Sequence, residues 1–415
     1  MTTPTCSDFG DAEARSILEK LSVESGLPLA GSTMRRSSSR FCLGVEHGDY
    51  NGTELFGVGT DRFIWMAFRP NGTNRVRLFS GNFRDDGIVD FALDNIPAPG
   101  EVADSWARFP LGVAYILNRE GFELRQGMDA ILYGNIPGGG MSRSASLTLN
   151  LLLSLAGVNR LELGPDMRVV DLAQAVENDY IGSPCGNLDQ IMILFAREGM
   201  GTHYNPADRS IHHVPLGAGA ADFRIISLDT GTVRPGLEKS TYKIRHTECR
   251  ELAELCREEF GIRTLGDVRT PELYDSIQAR FGGSHPHLCK RLSYIYRAQQ
   301  RFATMLDAWR AGDIGTVGGV FRADGIALRD DYAISGKELE TMCDAARTVP
   351  GVLGERMLGG GDKGASGALV LSESVDALRR AVATAYPRSH PEFAARFAVH
   401  SCRMVDGVTS LPGWD

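Results

Sequence analysis

No stretch of this chain approaches the roughly 20 uninterrupted apolar residues that a membrane-spanning helix needs. The start, MTTPTCSDFGDAEARS, has no basic cluster followed by an apolar block, so no secretory leader is expected. Cations are not in excess either: 44 lysines and arginines face 52 aspartates and glutamates, for a net charge of -8. That balance leaves no broad basic face and excludes unspecific nucleic-acid binding. The eight cysteines are scattered and form no C-x-x-C pair. In a chain without a leader they read as reduced thiols of a cytoplasmic protein. The N-G-T triplets at Asn51 and Asn71 need secretion to carry a glycan and are set aside. Internal repeats, low-complexity segments and a G-x-x-x-x-G-K-[ST] phosphate loop are all missing.

What is present is an ordinary globular composition, 43% hydrophobic and 23% charged. The 415 residues are more than one compact core usually holds, so two domains are expected, 1-217 and 218-415, divided near Gly217 to Ala221. β-Branched and aromatic runs predict strands in ELFGVGTDRFIWMAF, NRVRLFSGNF and RIISLDTGT. Helical periodicity predicts helices in WARFPLGVAYILN, in SASLTLNLLLSLAG with serines placed to cap it, and over Ser240–Glu259 and Lys290–Ala311. The segment FGIRTLGDVRTPELYDSIQARFGGSHPH reads as irregular.

Three motifs mislead. Asp8-Phe9-Gly10 spells a kinase metal motif with no H-R-D upstream. GGGDKG, ending at Gly364, satisfies G-x-G-x-x-G but runs into a strand-like segment instead of opening a helix. His285, His287 and Cys289 alternate in HPHLC and would face one metal if extended, yet they have no fourth ligand.

Four other stretches concentrate chemistry. GNIPGGGMSRSAS, from Gly134, suits a loop whose N–H groups and hydroxyls grip phosphate, and equally a capped turn before a core helix. Arg143 interrupts its serines. RFCLGVEHGDYNG crowds Glu46, His47, Asp49, Tyr50 and Asn51 into a short piece fit for hydrogen bonding a polyol, or for a polar hairpin turn. ENDYIGSPCGNLDQ sets Glu177 and Asp189 either side of a turn, as a metal ligand and a catalytic group or as two solvated caps. RMLGGGDKGASGALVL supplies a second glycine loop that can pack on the first.

Taken in order, these stretches resemble the galactokinases of the galacto-, homoserine, mevalonate and phosphomevalonate (GHMP) kinase superfamily. Arg40 with Glu46-His47-x-Asp49-Tyr50-Asn51 matches the sugar signature, and Glu177 to Gln190 matches E-x-x-x-x-G-x-P-C-G-x-x-D-Q without a gap. Pro137 to Ser146 resembles the phosphate loop, shorter by one residue. YKIRHTEC, LRDDYAIS and RMLGGG follow in family order.

The resemblance implies an α+β chain with a ribosomal-protein-S5-like N-terminal domain and a ferredoxin-like C-terminal domain, the sugar between them. It implies ATP and Mg²⁺, a small-molecule sugar, and neither nucleic acid nor membrane as partner. It assigns Asp189 to the anomeric hydroxyl and Arg40 to the transferring phosphoryl group. Glu46, His47, Asp49, Gly186 and Tyr242 are assigned to the sugar. Gly138, Gly139, Gly140, Ser142, Arg143, Ser144 and Ser146 fall to the phosphates, Trp106 to the adenine, and Ser144 with Glu177 to Mg²⁺.

The sequence departs from the family at several positions. Arg143 replaces a loop serine, Asp362 and Lys363 alter the last glycine loop, Gly48 replaces threonine, and Ala323-Asp324 replaces Ser-His. Gly48 is expected to open space beside the sugar, and Arg35, Arg36 and Lys363 offer cations for an extra phosphate. Arg143 is expected to bridge Asp362 in the empty cleft. The leading expectation is a galactose 1-kinase. A kinase for an extended or phosphorylated sugar, or an inactive sensor of sugar and ATP, are the alternatives.

Overall fold

The computed structural model of the chain describes residues 9–163, 166–232 and 240–415. Its first sheet has eight strands: β1 (Thr33–Gly44), β2 (Leu55–Pro70), β3 (Arg75–Ser80), β4 (Ile88–Ala92), β5 (Met128–Gly134), β6 (Met200–Asn205), β7 (Ser210–Pro215) and β12 (Thr409–Leu411). They run in the order β12-β1-β2-β5-β3-β4, with β6 on the far part of β2 and β7 beside β6. The second sheet, β11-β8-β10-β9, is built from β8 (Phe223–Asp229), β9 (Val352–Met357), β10 (Ala365–Leu371) and β11 (Ala398–Cys402). The predicted strands thus fall on β2, β3 and β8. The final strand returns to the first sheet, so that sheet draws on both ends of the chain.

Helices cover these sheets. Five precede the second sheet: α1 (Asp11–Ser25), α2 (Arg108–Arg119), α3 (Arg143–Val158), α4 (Asp166–Ala175) and α5 (Leu188–Leu194). Six follow β8: α6 (Thr241–Phe260), α7 (Pro271–Phe281), α8 (Pro286–Ala311), α9 (Ile314–Asp330), α10 (Lys337–Arg347) and α11 (Val375–Ser389). α3 reads as hydrophobic nearly all round because it is buried nearly all round. Among the described residues, no helix is long and apolar enough to cross a membrane, and seven cysteines are free thiols.

Two expectations change here. The segment expected to be irregular contains α7, whose start is set by the Thr270 hydroxyl accepting from Leu273 N and by Pro271 at the first helical position. Its inner face buries only Ile277 and Phe281, too few apolar positions to stand out beside the flanking glycines. Ser142 sits at the start of α3 but does not cap it through its side chain.

The misleading motifs resolve as well. Asp8 lies outside the described residues, while Gly10 opens α1. Residues 359–364 join β9 to β10. His285 precedes α8 and Cys289 is buried within it, so the HPHLC side chains do not alternate, and no metal-binding group of His, Cys, Asp or Glu gathers among the described residues.

The closest approach between a helix and a strand in the second half is that of α9 to β9. A Cβ on Gly354 would lie 1.9 Å from the Gly318 carbonyl oxygen, and one on Gly318 would lie 2.5 Å from Leu353. The two elements meet backbone to backbone because neither carries a side chain there. Gly354→Ala is therefore expected to cost about 2 kcal/mol or more through forced separation of α9 from β9. A urea unfolding midpoint equal to that of the native protein would show that the contact yields freely.

Candidate active site

The loops that follow β1, β5 and β9, together with the start of α5, surround a cavity of about 540 Å³, a size suited to a small-molecule substrate. Arg40 comes from the middle of β1, where every residue from Ser37 to Gly44 is buried. With 2% of its surface exposed, it must find counter-charges nearby. Its Nε and Nη2 donate to Asp189 Oδ1 at 2.8 and 2.7 Å, and Nη1 donates to the Gly140 carbonyl at 2.9 Å. Nη2 lies 3.6 Å from Glu46 Oε1. Burial works against the charge, but Asp189 and Glu46 outweigh it and hold the guanidinium above its ordinary pKa. One residue thereby ties the loop after β5, the loop after β1 and the start of α5 together.

One side of the cavity is lined by Glu46, His47, Asp49, Gly186 and Tyr242. His47 has a left-handed backbone (φ 61°), kept by its neighbours: the Tyr50 hydroxyl lies 3.0 Å from Nδ1, and Asn51 Nδ2 donates to the His47 carbonyl at 2.8 Å. Asp49 accepts from Leu188 N at 3.2 Å, and its carboxyl is pushed up to about 6, chiefly by burial. Gly186 is required at its position, since a Cβ there would fall 2.0 Å from Asp49 Oδ2. Its N–H donates to the Tyr242 hydroxyl at 3.3 Å.

On the other side, Gly138, Gly139, Gly140, Ser142, Arg143 and Ser144 line the cavity. Gly139 and Gly364 touch backbone to backbone, a Cβ on the former falling 2.6 Å from Gly364 Cα, so the two glycine loops interlock as expected. Ser142 Oγ and Trp106 Nε1 are buried with no protein partner, one polar atom at the loop and one at the far wall. Buried polar groups left in this way suit a ligand that completes them. Glu177 sits on a π-helical turn, Val176–Ile181, of the kind that often marks functional positions. It accepts from Gln190 Nε2 at 3.0 Å, and Ser144 and Gln190 both favour its charged form. Burial, reinforced by Asp189, pushes its carboxyl up to about 7.

Of the residues assigned through the resemblance to transfer, sugar, nucleotide and metal, all but Ser146 line the cavity, whereas Tyr50 and Asn51 stand behind it. Ser146 is fully buried on α3 and bonds the Ser37 hydroxyl at 2.7 Å, so it pins α3 to β1 instead of reaching a phosphate. Gly48 opens no space beside the sugar, because a side chain there would point at the Thr53 hydroxyl, 2.1 Å away. The supplementary cations also fall elsewhere: Arg35 donates to Ser154 Oγ at 2.6 Å, Arg36 pairs with Asp11 at 2.5 Å, and Lys363 does not line the cavity.

Arg143 and Asp362 do not pair. Asp362 Oδ2 instead accepts from Thr241 N at 2.8 Å and caps α6, while the Arg143 guanidinium lies 6.0 Å from the Phe83 ring centre and feels Asp229. Sequence reading missed Phe83, whose ring stacks on Trp106 at 6.3 Å and 16°. It also passed over Gln190 as a partner of Glu177. Only the D-Q spacing of the quoted motif hinted at Gln190, and nothing local marked Phe83.

Residues 108–197 match the GHMP kinases N terminal domain. The galactokinase of Enterococcus faecalis is 32% identical over 382 residues, covering 92% of this chain and 96% of that protein. The chain belongs to the galactokinase family. A crystal structure of Lactococcus lactis galactokinase complexed with galactose has a TM-score of 0.88 at 29% identity, covering 96% of this chain and 99% of that one. The Methanococcus jannaschii mevalonate kinase, at 14% identity and a TM-score of 0.60, shares the fold, the α+β GHMP kinase architecture expected from sequence.

The raised carboxyl of Glu177 has a stability consequence. Its ordinary value is 4.5 and its folded value about 7, so between them the folded chain keeps a proton that the unfolded chain releases. Stability therefore falls as pH rises through that window. In metal-free buffer, Glu177→Gln is expected to gain up to about 3 kcal/mol on the native protein between about pH 5 and pH 8. Urea midpoints that follow the same pH dependence in both proteins would place Glu177 in the ordinary carboxylate range.

Proposed function

We propose that this protein is an ATP-dependent galactose 1-kinase, and that Asp189 and Arg40 carry the transfer. The observation that supports this most directly is the Arg40 guanidinium, which bonds Asp189 and the phosphate-loop carbonyl of Gly140 within one cavity. A polyol bound against Glu46, His47, Asp49 and Tyr242 has its anomeric hydroxyl at Asp189, and a nucleotide in the glycine loop has its terminal phosphate at Arg40. Asp189, one-third exposed toward the cavity, orients that hydroxyl and accepts its proton as the new O–P bond forms. The bond from the γ-phosphorus to the bridging oxygen breaks and ADP leaves. Phosphoryl transfer of this kind depends mainly on alignment and charge neutralisation.

On the nucleotide side, the Ser142 hydroxyl and the loop N–H groups receive phosphate oxygens. Trp106 and Phe83 present aromatic faces suited to a base. The Ser144 hydroxyl and the Glu177 carboxylate are hard oxygen donors on the same cavity, and they fit Mg²⁺, which takes few protein oxygens beside phosphate and water. When bound there, the ion supplies neutralisation of phosphate charge. Arg143 adds a fixed cation to the same loop. The free thiols and the lack of a spanning helix among the described residues fit a cytoplasmic setting. Arg35, Arg36 and Lys363 offer nothing to an additional sugar phosphate, which favours the free sugar over a phosphorylated one.

Asp189→Asn is expected to lower kcat by roughly 10²- to 10⁴-fold while leaving ATP affinity, read by fluorescence titration, unchanged. A variant with native turnover would remove Asp189 from the chemistry. In a panel of free and phosphorylated sugars with Mg-ATP, followed by ADP release, galactose should be used in preference to glucose. Turnover of a phosphorylated sugar alone would overturn the substrate assignment, and no turnover at all would favour a sensor.

A further inference from the structure

Behind the cavity wall the charges of the active site continue into the second half of the chain. Glu46, 2% exposed, has one oxygen 3.6 Å from Arg40 and the other 3.1 Å from Arg356 Nη2. Arg356 is on β9, 1% exposed, and does not line the cavity. Its Nη2 also donates to the Cys42 carbonyl at 2.9 Å, and its guanidinium lies 4.5 Å from the Phe321 ring centre. Further out, Asp324 on α9 is 1% exposed and accepts from Arg301 Nε on α8 at 2.7 Å. Signs alternate along the whole row: Asp189, Arg40, Glu46, Arg356, Asp324, Arg301.

We propose that Arg356 is a positioning residue for sugar phosphorylation, keeping Glu46 ionised and, through Glu46, holding Arg40 in place against Asp189. This rests on the galactose-kinase reading of the cavity. Arg40 alone cannot serve Glu46, because its short bonds go to Asp189 and Gly140 and leave Glu46 at the longer distance. A buried carboxylate without a committed cation takes up a proton instead. The groups facing Glu46 set that balance. Burial, reinforced by Asp189, holds its pKa above the usual carboxylate range, and Arg40, Arg356 and the Gly359 N–H pull it back toward the ionised form. Cys42 on β1 feels the Glu46 charge, Asp49 feels it across the sugar loop, and the Tyr294 hydroxyl from α8 donates to the Glu46 carbonyl at 2.7 Å. Asp324 balances Arg356 from the other side. The aspartate that departs from the family pattern thus belongs to this row.

The test observes Glu46 itself, by infrared difference between the native protein and Glu46→Gln, without substrate. The native carboxyl is expected to be ionised at neutral pH, and in Arg356→Gln to become protonated there. The same variant should lose about tenfold or more in kcat/KM for galactose, with its acid limb moved up by at least about one pH unit and ATP affinity unchanged. Arg356→Lys should restore the ionised band and part of the activity. A protonated Glu46 in the native protein at neutral pH overturns the proposal, as does a folded Arg356→Gln with native band and profile. If the glutamine variant does not fold, the native band and the lysine variant decide. Failure of the native protein to phosphorylate galactose overturns the substrate reading and leaves the Glu46 titration as a separate result.

Discussion

A guanidinium almost wholly removed from water requires its counter-charges within bonding distance, and Arg40 meets that requirement only where three chain segments converge. Asp189 comes from the first turn of α5, Gly140 from the loop after β5, and Glu46 from the loop after β1. Separating any of them would leave a buried charge uncompensated, at a cost of several kcal/mol. The same demand keeps the loops together and, in the proposed reaction, would keep sugar and nucleotide in register. Stability and alignment are here one constraint.

Around that centre the backbone does what side chains would obstruct. Gly139 meets Gly364, and Gly186 makes room for Asp49, because at each place the neighbouring atoms already occupy the position of a Cβ. His47, Ser142 and Asp362, each in one of the loops around the cavity, adopt left-handed backbone without being glycine. Such conformations persist where surrounding bonds over-determine them, as Tyr50 and Asn51 do for His47. These backbone constraints fix the shape of the cavity, which suits a reaction whose barrier falls through positioning more than through covalent chemistry.

The departures from the family pattern separate into those absorbed by the fold and those that reach the site. Gly48 is matched by Thr53, whose hydroxyl stands where a side chain would go, and Asp362 is taken up as a cap for α6. Asp324 pairs with Arg301 and faces Arg356. Arg143 alone brings a new charge to the cavity.

Much of this was legible in the linear sequence, for reasons that can be named. Runs of β-branched and aromatic residues marked β2 and β3, and helical periodicity marked α2, α3 and α8, because the core draws apolar side chains from along each. The glycine, serine and carboxylate motifs kept their spacing because a loop that holds phosphate or a polyol tolerates few lengths. Residue identity and order were enough to assign the family and about half of the cavity lining. Tertiary structure alone decided which charges meet. The Arg143–Asp362 bridge failed because complementary charge in adjacent loops does not fix side-chain direction, and an unfilled helix N-terminus at Thr241 offered Asp362 a closer partner. Ser146 looked like its neighbours in sequence, but one turn of helix carries its hydroxyl toward β1. Phe83 lines the cavity from the turn after β3, and Arg356 bonds Glu46 from β9 behind the cavity wall, placements that only the folding of β3 and β9 beside the loops decided.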